Sequence, residues 1–198
     1  MTMEWLPIEG ETPIDLSHLK DKSIRTRAAL NEAEAENIRQ AVVRFLAMKP
    51  SKKKAPFTYD WLLKVHKSMF CDVWEWAGKT RMVDTNIGTR WQLIGQELGG
   101  LVLDIAAWQT DDRILDQAAT IHYRAAKIHP FHNGNGRWAR LLANIWLRRH
   151  GRSVIDWPEP EIGEVASAAR AEYIAAIQLA DAGDMRRFTE IHSQYWAG

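Results

Sequence analysis

The 198-residue chain contains a single cysteine, Cys71. No intrachain disulfide can form, a usage that fits a reducing, cytoplasmic setting. Cys71 lies in the apolar, tryptophan-rich run "SMFCDVWEW", where an inert buried thiol is expected rather than a nucleophile. An excess of charge of one sign is also missing: 26 Lys and Arg stand against 25 Asp and Glu. Duplex nucleic-acid binders carry a clear basic excess, so no direct nucleic-acid binding is expected. Long apolar runs are lacking too. The start, "MTMEWLPIEG", has no basic region leading into an apolar stretch, and no segment reaches the length of a membrane helix, so neither a leader peptide nor a membrane association is expected.

Hydrophobic residues make up 46% of the chain, enough for one good core. Ten tryptophans are many for this length, and they are expected to wedge between helices. Residues 1–23 read as an irregular arm, and a helical period begins at Ser23 with Leu30, Ile38, Val42, Phe45 and Leu46. The break "KPSKKKAP" reads as a solvated loop rather than a basic patch. Thr58 is placed to cap a helix whose apolar face holds Trp61, Leu62, Val65 and Met69, with His66 on its flank.

"RMVDT" and "TRWQLI" alternate in twos around Asn86–Gly88, which predicts a small β-hairpin. Further helices are expected from Ile94 to Trp108, from about Asp112 to Ile128, from the glycine turn to Gly151, and over "EIGEVASAARAEYIAAIQLAD", with a short last one. The fold class is therefore all-α with one hairpin. An arm and helix over 1–57 are expected to pack on a single unit over 58–198.

The stretch "IHPFHNGNGRWARL" carries the chemistry. Pro130 stops one helix beside His129. Asn133-Gly134-Asn135-Gly136 then makes a turn of nearly bare backbone, and the next helix starts at once. Glycines let amide N–H groups converge on an anion, and the helix aims its positive end at the same point. Arg137 and Arg140 lie three residues apart and can flank that point with forked guanidiniums. His129 could accept a proton from a hydroxyl attacking a bound phosphate. On spacing alone, a capping histidine followed by arginines in surface ion pairs reads equally well. A zinc site from His122, His129 and His132 is disfavoured because Pro130 breaks the helical spacing it needs.

"HPFHNGNGRWAR" resembles the Fic-domain signature HPFxxGNGRxxR, matching at all eight fixed positions: His129, Pro130, Phe131, Gly134, Asn135, Gly136, Arg137 and Arg140. The likeness extends over about residues 58–190, through "VHKSMFCDVWEWAGKTR" and "RAEYIAAIQLADAGDMRRF". "ALNEAEAENI", "DVWEWAG" and "NIG" further resemble the compact subgroup called mobile mystery protein B.

The resemblance implies a Fic fold: a helical bundle with a β-hairpin flap over the active site. It implies transfer of AMP from ATP to a Ser, Thr or Tyr hydroxyl of a target protein. By position, His129 would be the general base, and Phe131 would fix the loop. Gly134, Asn135 and Gly136 would form the nest, with Arg137 and Arg140 on the outer and terminal phosphates. Thr85, Asn86, Ile87 and Gly88 would belong to the flap that docks the target by strand addition. Asn133 stands where active relatives carry an Asp or Glu that holds Mg²⁺, so weaker magnesium binding is expected. The same departure leaves open transfer of another phosphate-containing group, or a nucleotide-binding module without turnover.

Many family members carry an inhibitory S/T-x-x-x-E-G/N helix. Here Glu36-Asn37 fits its end and Glu32 replaces the Ser/Thr. Glu36 would then pair with Arg140, against the plainer reading of a solvated glutamate-rich face. A separate antitoxin could supply that carboxylate instead, as in a toxin–antitoxin pair. The aromatic excess also allows a homodimer contact.

Overall fold

The computed structural model describes residues 15–108, 113–163 and 167–198. Eight α-helices are assigned there: α1 (Arg27–Leu46), α2 (Tyr59–Phe70), α3 (Ile94–Ala107), α4 (Ile114–Ile128), α5 (Asn135–Arg149), α6 (Glu159–Gly163), α7 (Ala168–Asp181) and α8 (Arg186–Gln194). The break expected at 109–112 and the first residues of the arm lie outside the described residues.

Helix α5 organises the molecule. From Trp138 to Leu147 every residue is buried, the mark of a helix surrounded on all sides. Helix α4 makes the most extensive contact with it, and α1 and α2 pack on it as well. The tryptophans fill the seams as expected: Trp61, Trp74, Trp76, Trp138, Trp146 and Trp157 are all buried. Because α5 runs through the core, its N-terminus and first arginines open where α1, α2 and the loop after α4 meet.

Local chemistry sets the helix ends. Thr26 caps α1 by accepting the Ala29 amide, and Ser167 caps α7 by accepting that of Arg170. Thr58 holds the cap position of α2 with extended backbone but without a side-chain bond. The long helix expected over 161–181 is instead two, because Ser167 takes the extended conformation of a cap.

The β-hairpin does not form. Among the described residues only isolated bridges pair, Leu19 with Trp74 and Ile155 with Trp196. Both arms of the expected hairpin pair their backbone amides with the end of α4 and the residues just past it rather than with each other: Arg81 N–H to the Pro130 carbonyl at 2.9 Å and Thr89 N–H to that of Ile128 at 3.2 Å. The alternation in "TRWQLI" ends in a 3₁₀ turn over Trp91–Leu93, entered when Asp84 Oδ1 accepts the Trp91 amide.

Candidate active site

Helix α4 ends on His129, whose backbone is left-handed (φ 51°). This αL cap turns the chain away from the helix axis and leaves the imidazole half-buried beside the turn. Burial, reinforced by the charge of Arg81 and opposed by the Ala126 carbonyl, pushes the His129 pKa down to about 4. The ring is neutral at pH 7, so its free nitrogen can take a proton.

The turn itself is pinned from below. Asn135 is buried; its side chain accepts the Phe131 amide and donates to the Phe131 carbonyl, each at 2.9 Å. Phe131 stacks on His66 with ring centroids 3.5 Å apart. His66 is fully buried rather than flanking its helix. Its Nδ1 accepts the Gly78 amide at 3.0 Å, so Nε2 carries the proton and donates to the Asn133 carbonyl at 3.0 Å.

Gly134 precedes α5 with φ 77°, and a Cβ there would lie 2.3 Å from the Phe70 ring. The first intrahelical bond runs from Trp138 N–H to the Gly134 carbonyl, so the amides of Asn135, Gly136 and Arg137 form the open first turn. Replacing Gly134 by Ala is expected to cost about 2 kcal/mol in a urea melt, because both the conformation and the space reject a methyl group.

Each arginine at this helix start meets a carboxylate. Arg137 Nη1 donates to Glu34 Oε2 at 2.7 Å and its guanidinium lies over the Phe70 ring. Arg140 is buried and bidentate to Glu159, Nε at 2.7 Å and Nη2 at 2.5 Å. Glu36 is not in the site: it faces solvent and binds Arg39 and Gln40. The suggested pairing of Glu36 with Arg140 is therefore not formed, since Arg140 is held by Glu159. The glutamate that reaches the turn is Glu34, buried and also holding Trp74 Nε1 at 2.6 Å.

His122 turns away from His129, into the space between α7 and α8. Its Nδ1 lies 3.0 Å from His192 Nε2 and its Nε2 lies 2.8 Å from the Tyr173 hydroxyl. His192 Nδ1 donates to the Phe188 carbonyl, so His122 donates to His192 and accepts from Tyr173. The Tyr173 ring in turn lies under Arg140. Among the described residues no cluster of His, Cys, Asp and Glu could hold a metal. Asn133 offers one neutral amide oxygen, already accepting the Gly134 amide at 2.5 Å. These residues do not build a cation site by themselves. Cys71 is likewise unsuited to nucleophilic attack, since burial and then Asp72 push its thiol up.

The loop carrying Thr85, Asn86, Ile87 and Gly88 arches onto His129. A Cβ on Gly88 (φ 96°) would sit 2.4 Å from His129 Cβ. Met82, Val83 and Ile87 expose 72%, 56% and 50% of their surface beside it, an apolar rim unusual for a solvated loop. The site thus gathers His129, the glycine turn, Arg137, Arg140 and this loop. Sequence reasoning passed over Glu34, Arg81 and Glu159, and placed His66 on a helix flank rather than under the turn. For Glu34 a signal existed: it follows Leu30 by four residues and precedes Asn37 and Ala41 on one buried stripe.

Residues 56–147 match the Fic/DOC family. The protein adenylyltransferase fic-1 of Caenorhabditis elegans is 31% identical over 145 residues, which cover 70% of this chain and 27% of that protein. A solved structure, Fic-1 (aa134–508), superposes with a TM-score of 0.66 at 28% identity, covering 84% of this chain and 48% of that one. The protein adenylyltransferase VbhT of Bartonella schoenbuchensis is 32% identical over 186 residues, 84% of this chain and 36% of that protein. The BepC protein of Bartonella tribocorum, solved with bound AMPPNP, shares the fold with a TM-score of 0.69 at 20% identity, over 95% of this chain and 94% of that one. The chain spans about a third or less of the length of these two curated adenylyltransferases. In motif, helical architecture and sequence likeness alike, the chain belongs to the Fic/DOC family.

Proposed function

We propose that this chain transfers AMP from ATP to a Ser, Thr or Tyr hydroxyl of a target protein. The observation that carries this reading is the neutral, half-buried imidazole of His129 beside the open first turn of α5. In the step proposed, the acceptor oxygen attacks the α-phosphorus and the bond to the β-phosphate oxygen breaks. Pyrophosphate leaves, and His129 takes the hydroxyl proton. The amides of Asn135, Gly136 and Arg137, with the two guanidiniums, oppose the charge on the phosphates. That curated adenylyltransferases match most of this chain supports the reading. Magnesium is expected to arrive with the nucleotide, held by its phosphates, with Asn133 adding at most one neutral oxygen.

Incubation with labelled ATP, Mg²⁺ and a cell lysate tests the activity. Label on a protein, absent with His129→Ala, supports transfer. Tight ATP binding with no label on any protein supports the rival reading, a nucleotide-binding module.

Regulation in cis follows from Glu34 on Arg137. A triphosphate has to displace this carboxylate to reach the guanidinium, as it has to displace Glu159 from Arg140. Glu34→Ala is expected to tighten ATP binding about tenfold, roughly 1.4 kcal/mol, while lowering stability by about 1–3 kcal/mol because Trp74 Nε1 loses its acceptor. Glu36→Ala is expected to change neither. Calorimetry and melting of the two variants decide the matter, and equal affinities would remove Glu34 from regulation. A separate antitoxin would have to reach these same guanidiniums. No described helix is long and apolar enough to cross a membrane, and the single cysteine accords with a cytoplasmic setting.

A further inference from the structure

We propose that Arg81 is a positioning residue that locks the 82–90 loop to His129, so that the segment docking the acceptor and the group taking its proton hold one register. The inference rests on the transferase reading above and names a residue that reading does not use. Arg81 is only 1% exposed. Its guanidinium spends every nitrogen on backbone carbonyls of separate segments: Nε on His129 at 2.8 Å, Nη1 on Val83 at 2.7 Å, and Nη2 on Thr89. Its own amide bonds to Pro130, and Thr89 N–H bonds to Ile128. One side chain therefore ties both arms of the loop to the backbone that presents the imidazole.

A buried cation is costly unless compensated. Among the described residues the one acid paired with Arg81 is Asp84, exposed and 3.9 Å away, so the three carbonyl dipoles carry most of the compensation. Of the protonatable side chains, a guanidinium alone reaches three carbonyls in divergent directions from one plane. Lysine, with a single ammonium, cannot span them. The charge serves the same end, since it adds to burial in keeping the His129 ring neutral.

Gly88 supplies an independent observation. Its backbone touches His129 so closely that a methyl group would overlap the His129 Cβ at 2.4 Å, although Gly88 itself faces solvent. The loop is thus fitted to His129 from two directions, by the Arg81 fork beneath and the bare Gly88 backbone above. A displacement of about 1 Å in such an arrangement is worth on the order of 100-fold in rate.

The test compares Arg81→Lys and Gly88→Ala with the wild type in three readouts: AMP transfer to a protein acceptor, ATP affinity by calorimetry, and the melting temperature. Both variants are expected to lose about 100-fold in kcat for transfer while ATP affinity stays within about threefold. Gly88 is exposed, so its variant remains informative if Arg81→Lys fails to fold. Transfer by Gly88→Ala within twofold of wild type overturns the inference. So does a parallel loss of ATP affinity and transfer, which would mark general damage to the site. Wild-type protein that binds ATP yet modifies nothing sinks the transferase reading, and the inference with it.

Discussion

Substituting His129 by Ala is expected to lower AMP transfer by about 10²–10⁴-fold, the usual contribution of a positioned general base, while ATP affinity changes less than about threefold. The asymmetry follows from geometry. His129 belongs to the end of α4, whereas the amides and guanidiniums proposed to meet the phosphates belong to α5. Removing the imidazole takes away the proton acceptor and leaves the anion-binding surface whole. The pH dependence should agree. With burial and Arg81 holding the His129 pKa at about 4, transfer should be level across neutrality and fall in acid only where the fold itself is lost. A rate that halves near pH 6.5 would place the imidazole in a water-like environment and contradict the structure. Equal losses in binding and transfer would assign His129 to nucleotide affinity instead.

The second large effect is on stability in mild acid. His66, His122 and His192 are all fully buried. Burial holds His66 at about 3 and His192 at about 4, and holds His122 well below its ordinary value. In the unfolded chain all three titrate near 6.5. Between these limits the unfolded state binds more protons than the folded one, so stability is present above about pH 6.5 and is lost as pH falls. Each group contributes a slope of about 1.4 kcal/mol per pH unit, and three together contribute about 4. A typical domain has only about 5–15 kcal/mol in total, so cooperative unfolding is expected near pH 5, before most carboxylates are protonated. The hydrogen bonds sharpen the effect. His122 and His192 share one proton across 3.0 Å; protonating His192 at Nε2 sets two N–H groups against each other, and protonating His122 at Nε2 removes the acceptor of the Tyr173 hydroxyl. Melting temperatures measured from pH 8 to 5 check this; a flat profile would show that these rings are hydrated or already charged.

The candidate anion-binding turn was legible in the sequence because its parts are local. A glycine pair before a helix sets an open first turn, and arginines three residues apart share its face, although the spacing alone leaves surface ion pairs as an equal reading. The helices were legible for a similar reason, since their apolar periods fix which faces turn inward. The 82–90 loop was not. Its residues alternate as a strand does, but the partners of Arg81 and Thr89 lie some 40 to 50 residues on, at Ile128, His129 and Pro130, and nothing in the local pattern announces a buried arginine. Glu34 and Glu36 show the intermediate case. The motif register pointed to Glu36, while the helical phase set by Leu30 points to Glu34. Packing followed the phase, because a residue six positions from Leu30 lies well off the buried stripe. The long interhelical chain from Phe188 through His192 and His122 to Tyr173 joins three helices and leaves no trace in any one of them.

The most direct test of the central claim uses ATP labelled separately at the α- and γ-phosphates. Purified protein is incubated with each in turn, together with magnesium and a lysate supplying acceptors. Label that depends on the added protein should come from the α-position only, and should vanish with His129→Ala. γ-label that depends on the added protein, or α-label incorporated equally well without His129, would contradict the proposal that this imidazole and the α5 turn together direct AMP onto a hydroxyl.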